Sequence, residues 1–171
     1  SILDENHLDL AISYSFIGGY YNNRDDYEKA LEYHNKALAI RRFNLGEKHP
    51  DVAIDYNNIG LSYSNLDINE KALEYYYKAL SIRQSFFGEN HPSVALCNRN
   101  IGYVYSKLGD YEKALEFFNK ALAVYKKVFG EEHPDVAQSY CKIGDVYYKQ
   151  KNYEGALENY KKALSILKIY Y

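Results

Sequence analysis

The segment Glu-Lys-His-Pro-Asp-Val-Ala at residues 47–53 decides the fold, because close copies of it return at a fixed interval. It reappears as Glu-Asn-His-Pro-Ser-Val-Ala at 89–95 and as Glu-Glu-His-Pro-Asp-Val-Ala at 131–137, and the related Glu-Asn-His-Leu-Asp-Leu-Ala stands at 5–11. The interval is 42 residues each time. A fixed period of about 20–50 residues is typical of a solenoid, in which each repeat packs on its neighbours. The sequence therefore divides into four repeats, residues 5–46, 47–88, 89–130 and 131–171.

Each repeat carries small residues at further fixed places. A glycine followed three residues later by a tyrosine recurs at Gly18, Gly60, Gly102 and Gly144. Glycine inside a helix costs about 1 kcal/mol relative to alanine, so its recurrence indicates a close approach of two helices that offsets this loss. Alanines seven residues apart lie two turns along one helical face at Ala30 and Ala37, Ala72 and Ala79, Ala114 and Ala121, and Ala156 and Ala163.

Boundary residues predict two helices in each repeat, because the apolar residues between them follow helical spacing. Proline after histidine suits the first position of the first helix. The second helix is expected to be capped at its start by Asp26, Asp110 or Asn152. We expect it to end in the left-handed conformation at Gly46, Gly88 or Gly130. An all-α fold of eight helices follows.

Composition narrows the class of protein. With 171 residues, 47% of them hydrophobic and 26% charged, the chain is predicted to fold as a single repeat domain over residues 1–171. A net charge of -2 argues against a dedicated nucleic-acid or anionic-membrane binder. No apolar run reaches the roughly 18 residues of a membrane span. Because the chain begins with serine and lacks methionine, we expect it to be part of a longer protein.

Cysteines and histidines do not suggest chemistry. Cys97 and Cys141 have no metal-ligand spacing, so we expect free thiols in a reducing, cytoplasmic compartment. His34 is interpreted as a half-buried core histidine. Because packed helices lie about 8–10 Å apart, one metal ion cannot join the other four histidines, and we predict helix caps at His7, His49, His91 and His133. Without a phosphate-binding loop, nucleophile elbow or zinc motif, the sequence predicts no catalytic residue, metal or cofactor, and no enzyme.

The motif Tyr56-x-x-Ile59-Gly60-x-x-Tyr63, followed by Ala72-x-x-x-Tyr76, resembles the tetratricopeptide repeat signature. With the 42-residue period and His-Pro-Asp-Val-Ala, the chain looks most like the kinesin light chain subclass. The resemblance implies an α-α superhelix of four helical hairpins whose first helices line a concave surface. Single positions depart from the pattern, namely Asn98 in a tyrosine slot, His34 in an aromatic slot and Leu8 in a proline slot.

The same resemblance implies a peptide-binding surface on the first helices. The asparagines before Ile59 resemble the Leu-Asn-Asn-Leu stretch of kinesin light chains, and each amide offers a donor and an acceptor to a peptide backbone. The alternative interpretation is an ordinary solvated helix face. The predicted peptide-binding residues are Asn57, Asn58, Leu61, Asn65, Arg99, Asn100, Tyr103, Lys107, Lys142 and Lys149.

Two functions of different kinds follow from this interpretation. The first is a protein-protein interaction scaffold that binds a partner peptide, with a preference for acidic segments because of the basic residues in the third and fourth repeats. The second is a structural solenoid segment that stacks end to end or spaces other domains. Residues 163–171, at the end of the last predicted helix, are apolar on more than one face. They suggest self-association, because solenoid ends normally need a polar cap.

Overall fold

The structure is a computed structural model that describes residues 7–170, and these residues form eight α-helices and no strand. The prediction of an all-α fold is confirmed. The helices are α1 Leu8–Asn22, α2 Tyr27–Leu45, α3 Pro50–Asn65, α4 Asn69–Phe87, α5 Pro92–Leu108, α6 Tyr111–Phe129, α7 Pro134–Lys149 and α8 Tyr153–Leu167. The chain divides into two compact halves, the N-terminal half Ser1–Phe86 and the C-terminal half Phe87–Tyr171.

A histidine caps the first helix of every repeat. The Nδ1 atom accepts a hydrogen bond of 3.2 Å from the backbone N–H two residues later at His7, His49, His91 and His133. Proline follows three of these histidines at the start of the helix, where its missing N–H costs nothing. The predicted capping role of the histidines is confirmed.

The second helices start as predicted but end differently. Asp26, Asp110 and Asn152 each accept the backbone N–H three residues on, at 3.0–3.3 Å. Gly46 and Gly130 have positive φ, as expected, but their ψ of 160° and 167° makes the left-handed prediction wrong. This extended backbone is essentially restricted to glycine. It turns the chain directly toward the next histidine cap.

In every hairpin the recurring glycine lies against a ring of the second helix. A Cβ atom there would lie within 3.0 Å of the ring in four pairs, Gly18 with His34, Gly60 with Tyr76, Gly102 with Phe118, and Gly144 with Tyr160. The predicted close approach is confirmed. The alanine pairs of the second helices are buried as well.

Within each half, the second helix of one hairpin packs on the first helix of the next, α2 on α3 and α6 on α7. In the C-terminal half this junction joins Leu122 and Tyr125 of α6 to Ile143 and Val146 of α7 in one hydrophobic cluster. Burial of such side chains contributes about 1.5–3 kcal/mol each. The junctions therefore hold the hairpins of a half together.

The junction of α2 and α3 also contains a buried ion pair. The Arg41 guanidinium contacts the Asp55 carboxylate. The Ser15 hydroxyl accepts a hydrogen bond of 2.9 Å from Arg41 and donates one of 3.3 Å to Asp55. Asp55 is fully buried and its Oδ2 has no hydrogen-bond partner among residues 7–170. Burial raises the pKa of Asp55 to about 6, although Arg41 opposes the rise. This pair was not predicted.

His34 is fully buried, so the expectation of a half-buried side chain is wrong. Its Nε2 lies 3.2 Å from the Asn22 amide nitrogen, and its Nδ1 has no partner among residues 7–170. Burial, together with the nearby Arg41 charge, lowers the pKa of His34 to about 4. The imidazole is therefore neutral at physiological pH.

Gly18 and Gly19 of α1 provide a matched test of the close approach. A Cβ at Gly18 would lie 2.6 Å from the His34 ring, whereas nothing lies within 4 Å of one at Gly19. We expect Gly18→Ala to lower the free energy of unfolding by about 1–3 kcal/mol through overpacking. Gly19→Ala should raise it by about 0.5–1 kcal/mol, because alanine is the better helix former. Urea denaturation measures both values, and equal effects would remove the packing argument.

Replacing His34 with phenylalanine, the residue of the third repeat, should remove a pH-dependent loss of stability. Because the pKa of His34 is about 4 in the folded state and 6.5 ordinarily, the unfolded chain binds the extra proton between these values. The stability that the neutral histidine contributes to the folded state is thus fully present above pH 6.5 and is lost as the pH falls toward 4. Relative to the parent, the free energy of unfolding of His34→Phe should therefore rise by roughly 3 kcal/mol as the pH falls from 6.5 to 4.

Urea denaturation of parent and variant at a series of pH values measures this difference, in which the unchanged Asp55 contribution largely cancels. A stability difference that stays constant from pH 7 to 4 would contradict the assignment of a neutral, buried His34.

Candidate functional site

Eight of the ten predicted binding residues share one face of their own first helices, and Asn57 and Arg99 each lie one position before it in the sequence. Positions separated by four, three and four residues share a helical face, and on α3 these are Ile54, Asn58, Leu61 and Asn65. We call the equivalent positions on all first helices the first-helix face. On α5 they are Leu96, Asn100, Tyr103 and Lys107, on α7 Gln138, Lys142, Asp145 and Lys149, and on α1 Ile12, Phe16 and Gly19, followed by Asn23 at the C-cap of α1.

In the N-terminal half, α3 presents amides and an apolar side chain. Asn57 and Asn58 are half-buried, whereas Leu61 and Asn65 are exposed. The backbone carbonyl of Asn58 accepts the Ser62 hydroxyl at 3.1 Å. The side-chain amide of Asn58 has no hydrogen-bond partner among residues 7–170. That amide is therefore open to a ligand, while Asn57 already interacts within the chain.

The N-terminal half also exposes large apolar side chains that were not predicted as site residues. Ile12 and Phe16 of α1 and Ile54 of α3 stand on the same face as Leu61. Phe16 is 76% exposed. Their helical spacing was the available signal, but it equally suits a buried stripe. Exposed apolar side chains that share a helix face are a common feature of interaction surfaces.

In the C-terminal half, basic residues on α5 and α7 are partly engaged with neighbours. Arg99 contacts the Gln138 side-chain oxygen and lies 3.7 Å from Asp135. It therefore bridges α5 to α7 and does not simply face solvent. Lys107 lies 5.8 Å from the centre of the Tyr103 ring, within reach of a cation–π interaction.

The two predicted lysines of α7 flank an acid. Lys142 lies 3.2 Å from Asp145, which also accepts the Tyr160 hydroxyl at 2.9 Å. Burial and this hydrogen bond raise the pKa of Tyr160 to about 12. Lys149 donates to the Ser106 hydroxyl at 3.0 Å. A second pair of contacts thus joins α7 to its neighbours at the end opposite Arg99.

These side chains surround a cleft of about 210 Å³ in the C-terminal half. Pockets for drug-sized ligands are about 300–1,000 Å³, so this cleft suits a single side chain. Tyr103, Lys142 and Lys149 are the three predicted site residues that it brings together, and the buried Phe118 and the half-buried Tyr160 also line it. The asparagines of α3 lie in the other half of the chain.

Other kinds of site find little support. Within residues 7–170, no three His, Cys, Asp or Glu side chains group as metal ligands, and no described helix is long and apolar enough to cross a membrane. Cys97 and Cys141 are both free thiols, as predicted.

The sequence model of the tetratricopeptide repeat matches residues 9–68, 56–127 and 97–169. No curated protein sequence matches the chain. Among solved structures, BtubC (BKLC) from P. vanneervenii is similar with a TM-score of 0.85 and 28% identity, over 95% of this chain and 65% of that chain. The chain thus spans less than two thirds of that relative.

Two further structures share the fold. A putative kinesin light chain from Podosopora anserina with nearly identical TPR-like repeats has a TM-score of 0.77 and 19% identity, over 97% of this chain and 79% of that chain. A Rap protein complexed with Competence and Sporulation Factor has a TM-score of 0.82 and 21% identity, over 96% of this chain and 44% of that chain. The predicted resemblance to repeats of the kinesin light chain type is confirmed.

Proposed function

We propose, from the premise that this chain belongs to the tetratricopeptide repeat family, that the first-helix face of each half binds an extended segment of a partner protein. The observation that carries this proposal is the exposure of Ile12, Phe16, Ile54 and Leu61 beside the open amide of Asn58. Exposed apolar side chains next to unpaired amides suit a ligand that brings both side chains and backbone.

The N-terminal half supplies sequence-tolerant contacts. An extended peptide presents backbone N–H and carbonyl groups, and an asparagine amide pairs with both. Asn58 therefore holds the peptide backbone, while Phe16 and Leu61 cover its apolar side chains. The neighbouring Rap protein, which shares this fold, was solved with Competence and Sporulation Factor, and this supports the assignment of ligand binding to such a scaffold.

The C-terminal half supplies a preference for acidic residues. Arg99, Lys107, Lys142 and Lys149 lie on or beside its first-helix face, and Asp135 and Asp145 oppose them. A lysine ammonium has three donors, so Lys142 and Lys149 retain donors for a ligand carboxylate beside Asp145 and Ser106. Neighbouring cations raise the local concentration of an anionic segment. An acidic side chain or a C-terminal carboxylate fits the cleft.

The expected affinity is modest. Each neutral hydrogen bond contributes about 0.5–1.5 kcal/mol, and each hydrogen bond to a charged group about 1.5–3 kcal/mol. A few such bonds give a binding free energy of about -8 kcal/mol, which corresponds to a micromolar Kd. We assign the chain no catalytic residue and no cofactor, and we place it in the cytoplasm with reduced thiols. The ligand is found by probing a peptide array with the purified 171-residue chain.

The alternative function is a structural solenoid segment that stacks end to end or spaces other domains. The apolar side chains exposed on α8 favour it. Peptide binding and stacking use different surfaces of the chain, so both proposals stand or fall separately.

Asn58→Ala should weaken the binding of acidic and neutral peptides alike, because the lost amide contacts the peptide backbone. We expect a loss of about 1 kcal/mol in each case. Fluorescence anisotropy with an array-derived peptide and its Glu-to-Gln counterpart measures both. Asn35→Ala on α2, where the amide only bonds the carbonyl of Leu31, is the control and should bind like the parent. A selective loss for one peptide would contradict backbone recognition.

Changing Lys142 and Lys149 together to Glu should weaken the binding of an acidic peptide by several kcal/mol. The salt dependence of binding should also reverse, because salt then screens a repulsion between the peptide and the variant. Asp145→Asn should strengthen the same complex by removing the opposing charge. Isothermal titration at two salt concentrations measures each effect.

The matched control changes Lys120 and Lys127 of α6 to Glu, which alters the net charge equally away from the first-helix face. If both double variants weaken binding to the same extent, only overall charge matters and the basic cleft is not the binding site.

A further inference from the structure

In each of the first three hairpins, an aromatic ring and a lysine of the second helix cover one tyrosine of the first helix. The rings stack with centroids 5.5–5.7 Å apart in three pairs, Tyr21 with Tyr33, Tyr63 with Tyr75, and Tyr105 with Phe117. A lysine ammonium lies 5.0–5.1 Å from the centre of the same tyrosine ring, from Lys29, Lys71 and Lys113 in turn. The chain itself therefore occupies these three tyrosine rings.

The fourth hairpin lacks both covering groups. Its tyrosine is Tyr147, and Asn159 and Gly155 stand where the aromatic ring and the lysine stand in the other hairpins. Within residues 7–170, Tyr147 has no stacked ring and no cation over its ring. Two substitutions in one hairpin thus uncover the same ring.

A cavity of about 420 Å³ lies beside Tyr147. Tyr140, two helical turns earlier on α7, lines it as well, together with Gly155 and Asn159 of α8. Small-ligand sites are about 300–1,000 Å³. This cavity, which we call the Tyr147 cavity, therefore has room for an aromatic ring.

The second hairpin shows how a ring fits at this position. Tyr56 and Tyr63 are the equivalents of Tyr140 and Tyr147. The Tyr75 ring contacts both of them, with centroid distances of 5.8 and 5.5 Å. A tyrosine of the chain thus fills the position that is open in the fourth hairpin.

Asn159 gives the Tyr147 cavity a hydrogen-bond acceptor. This residue is only 9% exposed, and its amide nitrogen donates to the carbonyl of Gly155 at 2.8 Å. Its side-chain oxygen has no hydrogen-bond partner among residues 7–170. Because Asn159 is nearly buried, a side chain that enters from solvent meets this oxygen with its far end.

The Tyr147 cavity is separate from the first-helix face. Tyr140 and Tyr147 lie about 140–160° around α7 from Lys142 and Asp145, since successive residues are about 100° apart. A ligand in the cavity therefore leaves the first-helix face free.

We infer that the Tyr147 cavity binds a tyrosine side chain of a partner protein, with the phenol ring stacked on Tyr147 and the hydroxyl donating to the Asn159 oxygen. The other hairpins indicate this occupant, because Tyr33 and Tyr75 are the rings that stack at the same position. Tyrosine combines a ring that stacks with an O–H donor at its far end.

The charges around the cavity favour a tyrosine within a protein over the free amino acid. Glu158 and Lys162 are the two charged side chains that line it, and they pair with each other at 2.6 Å. The ammonium and carboxylate of a free amino acid would have to compete with this pair, whereas a peptide backbone carries neither charge.

NMR titration of the nitrogen-15-labelled 171-residue chain with N-acetyltyrosinamide, which imitates a tyrosine within a protein, tests the inference. We expect saturable shifts of the Gly155 backbone N–H and the Asn159 side-chain amide. N-acetylphenylalaninamide, which lacks the hydroxyl, should bind about threefold to tenfold more weakly, because one neutral hydrogen bond is lost.

Two variants restore the covering groups of the other hairpins. Asn159→Phe introduces the ring that hairpin three has at Phe117, and Gly155→Lys introduces the lysine that it has at Lys113. Each should weaken the binding of N-acetyltyrosinamide about tenfold, because the new side chain takes the place of the ligand. The same residues fit at these positions in hairpin three, so melting curves should show both variants folded.

Changing Lys142 and Lys149 together to Glu is the control, because this change acts on the first-helix face and should leave the binding of N-acetyltyrosinamide unchanged. The peptide proposal and this inference thus fail separately. The inference would be overturned by undiminished binding to both Asn159→Phe and Gly155→Lys, or by the absence of saturable shifts at Gly155 and Asn159 up to the solubility limit of the probe. Tighter binding of free tyrosine than of N-acetyltyrosinamide would overturn the assignment to a partner protein.

Discussion

The contact between a glycine of the first helix and a ring of the second helix is the constraint on which the rest of the structure depends. Because no Cβ stands between them, as at Gly144 and Tyr160, the two helices of a hairpin approach until backbone meets ring. This approach fixes which sides of the hairpin remain available. One side packs on the next hairpin, and another, the first-helix face, stays in solvent. A side chain at the glycine would disturb both.

Features that depend on one helix and its cap could be predicted from the sequence, whereas several that depend on contacts between helices could not. The cap at His49 needs only its own helix, so its recurrence identified it. The partner of Arg99 lies 39 residues away on another helix, and nothing near Arg99 in the sequence indicates Gln138. His34 was expected to be half-buried because it replaces an aromatic residue, yet it packs on Gly18 as tightly as the rings that it replaces. The extended ψ of Gly46 depends on the direction of the following cap, which glycine alone does not indicate.

The candidate site shows how one backbone supports different surfaces. Asn58 and Lys142 occupy the same position of two repeats, as do Leu61 and Asp145. The helix register places all four on the first-helix face, but residue type decides whether the surface offers an amide, an apolar contact or a charge. The family accounts for the placement of these side chains, and binding preferences arise from their chemistry.

The buried pair of Arg41 and Asp55 has a consequence for how the gene can change. Its equivalents in later repeats are not charged partners, since Cys97 and Ser139 stand where Asp55 does. A deletion of the second repeat, or of the second and third, would join the first hairpin to the third or fourth. Arg41 would then be buried without a carboxylate, at a cost of about 3–5 kcal/mol. One ion pair thus penalises the deletion of the second repeat, and it favours keeping that repeat directly after the first.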